Sequence, residues 1–407
     1  MGVTPRALGD YTPAAGAEAL ERLRVAAEPL RGARVLHVSA AGGGGRVPGL
    51  LGSLLPLAAG LGLEVEWRVL FGGGELTEGA AALHDGLQGA ESALEAGTAW
   101  QDYLGKCSQA AAGLGDGWDA VVLHDPGPLG LGAGSSAPLV WRCHIDVSQP
   151  DPAALERATE LLDGFAALVF PDASFAPEPL RDERVHVAAP GIDPLSPLNL
   201  ELQPRLAGRL VRSLGLDLSR PLCSQVMRLD RWKDPHATIE AFDLAKAEVP
   251  ELQLVLAGAL EGADEADWRA AKELSDYAAD RADVHLITSY EHVGDVELGA
   301  LQRLSRVTLQ RALREGFGLA ASEALWKGTP VIGGSEGGLA LQVRDGVDGY
   351  LCDGVEETAG RLVELVRDPG LAVEMGRAGR ERVRERFLVT RALEDELHAL
   401  AATLQPA

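Results

Sequence analysis

Basic residues are scarce in this 407-residue chain: 37 Lys and Arg stand against 60 Asp and Glu, a formal net charge of −23. No basic arm compensates, since residues 1–200 carry 12 cations against 25 anions and the remainder 25 against 35. Nucleic-acid binding through phosphates therefore lacks its electrostatic footprint, and no nucleic-acid partner is expected. Cysteine is nearly absent. Cys107, Cys143, Cys223 and Cys352 lie far apart, with neither C-x-x-C nor a metal-like spacing, so no disulfide framework or structural zinc site is expected. Long apolar runs are missing as well. The longest uncharged stretch near the N-terminus, Val47 to Leu63, is interrupted by Pro48, Gly49, Gly52, Ser53, Pro56, Gly60 and Gly62, which excludes a membrane span there. The opening MGVTPRALGD has early charges and no apolar segment, and Arg6 stands where myristoylation needs Ser or Thr; the expectation is a cytoplasmic chain.

What is present is an ordinary globular composition, 46% apolar and 24% charged, with length for two or three domains. From residue 33 onward, short Val/Leu/Ile-rich runs alternate with longer helical periods. One series of strands is predicted at 34–39, 64–70, 119–124, 139–144, 167–170 and 185–188, and a second at 222–227, 252–257, 284–287, 307–310, 330–332 and 349–351. Alternation of this kind implies α/β architecture with parallel sheets covered by helices. Residues 193–204, DPLSPLNLELQP, suit a linker. The expected organisation is two Rossmann-like domains facing a cleft, 1–198 and 205–388, with a last helix in 389–407. Functional residues should then lie after strands.

The first such loop, AAGGGGRVPG at 40–49, offers glycine amides to an anion at a helix start, through Gly44 and Gly45. It lacks the G-x-G-x-x-G spacing, so hydride transfer loses its main support. Arg46 reads equally as a phosphate or substrate contact and as a solvated arginine. Two later runs end in a His and an Asp: LHDPGP presents Asp125, and WRCHID presents His144 and Asp146. His144 can donate to a sugar hydroxyl, and Asp125 or Asp146 can accept from one; a buried structural histidine is the alternative reading. In the second series, Arg228 and Lys233 follow a strand, and a Lys is informative where only five accompany 32 arginines. Glu315, the turn Gly316, Phe317, Gly318 and Leu319, and Glu323 form the last cluster. There, free amides at a helix N-terminus attract a diphosphate while the carboxylates accept from sugar and ribose hydroxyls.

These residues resemble a known family, the retaining glycosyltransferases of the GT-B fold, family 4. The E-x7-E of Glu315 and Glu323, the R-x4-K of Arg228 and Lys233, and the K-G-x-P-V-I run from Lys327 to Ile332 carry the likeness. Within the family the wording is nearest the trehalose-forming members, at WRCHID (141–146), GIDPLSPLN (191–199), QVMRLDRWK (225–233), REGFGL (314–319) and EALWKGTPVIG (323–333). The resemblance implies a nucleotide-diphosphate-glucose donor held by the C-terminal domain, a glucose acceptor in the N-terminal one, and trehalose as product. No tightly bound cofactor is implied; Mg2+ can accompany the nucleotide, and a homodimer is compatible. It assigns the diphosphate to Arg228 and Lys233, the ribose to Glu323, donor-sugar hydroxyls to Glu315 and His144, and phosphate and sugar contacts to the 316–319 amides. It also implies that the final helix returns toward the N-terminal domain. The chain departs from the family wording at Arg46 and Gly49, where GGGVAE has Gly and Glu, and at Gly127, where Gln is expected. Those departures fall on the acceptor side, so the resemblance leaves a retaining trehalose phosphorylase, or a nucleotide-sugar binding protein with a changed acceptor site, as alternatives.

Overall fold

The computed structural model describes residues 2–42, 46–70, 77–91, 94, 98–228, 233–259, 265–288, 293–312 and 316–404. It contains two six-stranded sheets. The first is built from β1 (Arg34–Ser39), β2 (Glu64–Val69), β3 (Ala120–His124), β4 (Leu139–Arg142), β5 (Ala167–Phe170) and β6 (Val185–Val187), in the order β2-β1-β3-β4-β5-β6. The second is built from β7 (Leu222–Arg228), β8 (Gln253–Ala259), β9 (Val284–Thr288), β10 (Val307–Gln310), β11 (Val331–Gly333) and β12 (Gly349–Leu351), in the order β12-β11-β10-β7-β8-β9. Every ladder between these strands is parallel. The α/β class expected from the alternating pattern is the class observed.

The physical reason is burial on both faces. All residues of β3, β4, β5 and β10 are buried, whereas the edge strands β2 and β6 are largely half-exposed. Continuous apolar runs satisfy central strands such as β3 and β5, because helices cover both sides of a parallel sheet. In the second sheet the alternation sorts residues between two layers. Cys223, Met227, Leu254 and Leu256 pack into one apolar cluster, and Leu222, Val226, Val255 and Ala257 into the other. Three of the covering helices begin with the same pair, Asp then Pro. Asp151, Asp234 and Asp368 each accept a hydrogen bond from the first turn of the helix that follows, while the proline supplies a preset φ where no N–H is needed.

The chain divides into two compact units, residues 1–191 with 388–407, and residues 192–387. The helix Val389–Leu404 thus belongs with the first sheet. Arg142 at the end of β4 is buried and donates through Nε to Glu396 on that helix at 2.8 Å, and through its terminal nitrogens to the carbonyls of Cys143 and Ala188. The proline-rich stretch around residue 193 is pinned to the second unit: Asn199 donates to the Asp193 carbonyl and accepts from Lys327 Nζ at 2.8 Å. The four cysteines are free and buried. Among the described residues no helix is long and apolar enough to cross a membrane.

Candidate active site

In an open parallel sheet, ligands bind beyond the strand C-termini where the strand order reverses. In the first sheet that point lies between β1 and β3. At the end of β1, Ser39 Oγ accepts from Trp67 Nε1 at 2.8 Å and donates to the Ala41 carbonyl at 2.7 Å, ahead of the glycine loop. Beyond β3, Asp125 has a left-handed backbone, φ 62°, a conformation that Asp tolerates better than most side chains. Its amide donates to the Arg142 carbonyl, its carbonyl accepts from Trp141 Nε1, and its carboxylate accepts from the His144 amide at 2.7 Å. That last bond explains why β4 stops at Arg142 and not at His144 as the apolar run predicts. The His144 amide is drawn out of the ladder and the ring is set two residues beyond the strand.

His144 is buried, and its Nε2 lies 3.0 Å from Nδ1 of His124, whose Nε2 lies 3.0 Å from Nδ1 of His37 on β1. The rings stack in sequence, with centroids 5.3 Å apart in both pairs. Burial pushes His37 down to about 3. His124 is also pushed well below its ordinary value, first by burial and then by the positive potential of His37 and Arg142. Both rings are therefore neutral at physiological pH. Asp146, also buried, accepts from the Ser148 amide at 2.9 Å. The structure thus brings Asp125, His144 and Asp146 together beyond β3 and β4. Gly44, Gly45 and the side chain of Arg46 lie outside the described residues, although Arg46 opens the helix Arg46–Gly60. Gly49 is exposed in that helix, with open space where a Cβ would project.

In the second sheet the order reverses between β7 and β10. The side chain of Arg228, which ends β7, and the whole of Glu315 lie outside the described residues. Lys233 is buried just ahead of the helix Pro235–Glu248. Its backbone position is set by Gln225, a buried residue of β7 whose Nε2 donates to the carbonyls of Lys233 at 2.9 Å and Arg311 at 3.2 Å. One amide thus ties the segment after β7 to the segment after β10. Gly316 and Phe317 follow, and Gly318, with φ 80°, caps the helix Leu319–Trp326. Gln342, fully buried, clamps this turn: its amide nitrogen donates to the carbonyls of Phe317 and Gly318, while its oxygen accepts from the Ser322 amide at 3.0 Å. Gly338 lets the turn approach, since a Cβ there would come within 2.2 Å of Phe317 Cα. Leu319 and Glu323 lie on the capped helix, Glu323 half-buried. Lys327 at its end is buried, donates to Asn199 Oδ1 and the Glu323 carbonyl, and is pulled down to about 7 by burial.

Gln225 and Gln342 escape a reading of the sequence. Gln225 does stand inside the QVMRLDRWK wording, and a polar residue within a buried strand was the available signal. His37 likewise reads as one polar residue in an apolar strand, with nothing local to reveal its partner. Among the described residues no group of three or more His, Cys, Asp or Glu side chains could hold a metal ion.

The family description "Trehalose synthase, N-terminal domain" matches residues 37–177, and "Glycosyl transferases group 1" matches 209–382. The chain is 38% identical to a trehalose synthase of Rubrobacter xylanophilus, over 98% of this chain and 97% of that one. It is 33% identical to a trehalose synthase of Pyrococcus horikoshii, over 97% and 96%. More distant is a trehalose phosphorylase of Pleurotus pulmonarius, 26% identical over 84% of this chain and 53% of that protein. Among solved structures, an α,α-trehalose-phosphate synthase from Burkholderia xenovorans, in complex with glucose-6-phosphate, superposes with TM-score 0.71 at 16% identity. The match covers 91% of this chain and 100% of that one. Likeness at that identity shows the fold alone.

Proposed function

The chain belongs to the trehalose synthase family of glycosyltransferases, and from that premise we propose that it transfers glucose, with retention, from a nucleotide-diphosphate-glucose to a second glucose, giving trehalose. The observation that carries this reading is the tie between the two segments beyond β7 and β10. Gln225 holds the Lys233 backbone to Arg311, and Gln342 holds the 316–318 turn against its helix N-terminus. These bonds fix the backbone that carries Lys233 and the backbone of the helix start, which supports the reading that the ammonium and the helix-start amides serve a leaving diphosphate, where charge develops in the transition state. Arg228 joins Lys233 there, Glu323 takes the ribose, and Glu315 and His144 take donor-sugar hydroxyls.

In this reading the acceptor hydroxyl oxygen bonds to the anomeric carbon on the face from which the diphosphate departs. The bond from that carbon to the phosphate oxygen breaks, and the leaving oxygen takes the acceptor proton. Stabilisation of the diphosphate then supplies most of the acceleration. Asp125 and Asp146 shape the acceptor side, together with Arg46. No resident cofactor enters the reading, and Mg2+ can accompany the nucleotide.

A donor-by-acceptor matrix tests the proposal, with nucleotide diphosphate release and disaccharide formation measured together. Trehalose formed from a nucleotide-diphosphate-glucose and glucose is the expected product. The phosphorylase relative motivates one further arm, trehalose with inorganic phosphate. Release of glucose 1-phosphate there, without turnover of any nucleotide sugar, would replace synthesis by phosphorolysis.

A further inference from the structure

We propose that His37 and His124 are positioning residues, and that the hydrogen-bonded ladder His37–His124–His144 sets whether Nδ1 of His144 offers a proton or a lone pair to the substrate. The proposal rests on the reading of His144 as a sugar contact.

The argument is one of counting protons. A neutral imidazole has one N–H and one lone pair. The two junctions join Nδ1 of His37 to Nε2 of His124, and Nδ1 of His124 to Nε2 of His144, each at 3.0 Å. At that distance each junction needs one donor and one acceptor; two lone pairs or two N–H groups face to face would repel. With all three rings neutral, which the proposal requires of His144 as well, only two arrangements satisfy both junctions. In one, every proton sits on Nε2, and His144 Nδ1 presents a lone pair. In the other, every proton sits on Nδ1, and His144 Nδ1 presents an N–H. A mixed arrangement breaks at least one bond in a site where His37, His124 and His144 are at most 3% exposed and water cannot easily repair it. The tautomer of His37, in the middle of the apolar strand β1, is therefore coupled to the hydrogen-bonding role of His144. The stacking holds the rings in register for this, and the Asp125 carboxylate fixes the backbone of His144 at its amide. A core histidine that merely filled space would need no such alignment of nitrogens.

The test uses the full chain labelled with 15N at histidine, with ring nitrogens assigned by single substitutions. In the wild type, His37, His124 and His144 should all show the same neutral tautomer at pH 7. His37→Phe keeps a flat ring but removes the first junction. His144 should then show a mixture of tautomers, and kcat should fall about tenfold, the size of one lost hydrogen bond, with KM for the acceptor little changed. His37→Asn, whose amide can rotate to donate or accept near the position of Nδ1, should restore most of kcat. Different tautomers along the wild-type ladder would overturn the proposal, and so would a His37→Phe protein with unaltered His144 nitrogens and turnover. If His37→Phe does not fold, the wild-type spectrum and His37→Asn decide the matter on the same criteria. A wild-type chain that transfers no sugar would instead remove the functional reading, and the nitrogen spectrum would still judge the ladder.

Discussion

The guanidinium of Arg142 and the carboxylate of Glu396 meet at 2.8 Å across 254 residues of sequence, both side chains almost completely removed from solvent. This pair joins the C-terminal end of β4 to the helix Val389–Leu404. Glu396→Ala would strand a buried cation, a change that typically costs about 3–5 kcal/mol. Urea unfolding of the first unit should show a loss of that order. A loss below about 1 kcal/mol would mean that Arg142 is adequately held by the carbonyls of Cys143 and Ala188.

Lys233→Ala and Arg228→Ala should each reduce transfer by about 10²–10³-fold with the far-UV spectrum unchanged, because in the proposed donor site each would remove a cation from the departing diphosphate. Near-normal turnover in either variant would remove the donor assignment. Glu323→Ala should act differently, weakening nucleotide binding in calorimetry more than it slows the chemical step.

The clamp on the 316–318 turn predicts a third effect. Gln342→Leu removes the partners of the Phe317 and Gly318 carbonyls and of the Ser322 amide, all in a buried setting. A raised donor KM together with a stability loss of about 1–3 kcal/mol is expected. Gly338→Ala should move the same turn through the backbone collision at Phe317. Equal donor affinity in both variants and the wild type would show that the turn does not hold the donor.

Acid should weaken the fold in a defined window. The folded-state values of His37 and His124 lie below the ordinary 6.5, so the unfolded chain binds protons that the buried rings refuse. Their contribution is complete above 6.5 and is lost as pH falls toward about 3 for His37. Each ring should cost about 1.4 kcal/mol per pH unit within the window. Unfolding free energies measured from pH 6.5 to 5 should therefore fall less steeply for His37→Asn than for the wild type; parallel slopes would contradict the burial effect.

The acceptor side offers a last expectation. Arg46→Gly combined with Gly49→Glu restores the glycine and the glutamate of the family wording, and a Cβ at position 49 would project into open space. The double variant should raise the ratio of trehalose formation to donor hydrolysis, since a hydroxyl acceptor replaces a cation that favours anions. An unchanged ratio and acceptor preference would show that this loop does not select the acceptor.

Much of this architecture is legible along the chain. The strand 167–170 stands out because a parallel sheet buried on both faces favours unbroken apolar residues. Strand ends stand out for the converse reason: His124, Asp125 and His144 are polar residues where apolar runs terminate. The Asp-Pro pairs before three helices can be read locally, since an N-cap needs only its own first turn. The predicted strand 139–144, by contrast, ran two residues too long. Its true end depends on the Asp125 carboxylate reaching the His144 amide, and no local pattern reports a bond between residues 19 apart.

What the sequence determined by itself is the set of elements and the chemistry offered at their ends, because helix period, strand burial and capping are local consequences of residue type. Tertiary structure decided which of those groups meet. Gln225 reaching the carbonyls of Lys233 and Arg311, Gln342 closing on the 316–318 turn, three histidines aligned nitrogen to nitrogen, and Arg142 paired with Glu396 all join segments well separated in the chain. Each involves a polar side chain taken into the interior. The cost of burying such a group unpaired forces it to find a partner, but only the packed sheets and helices decide which one lies within reach.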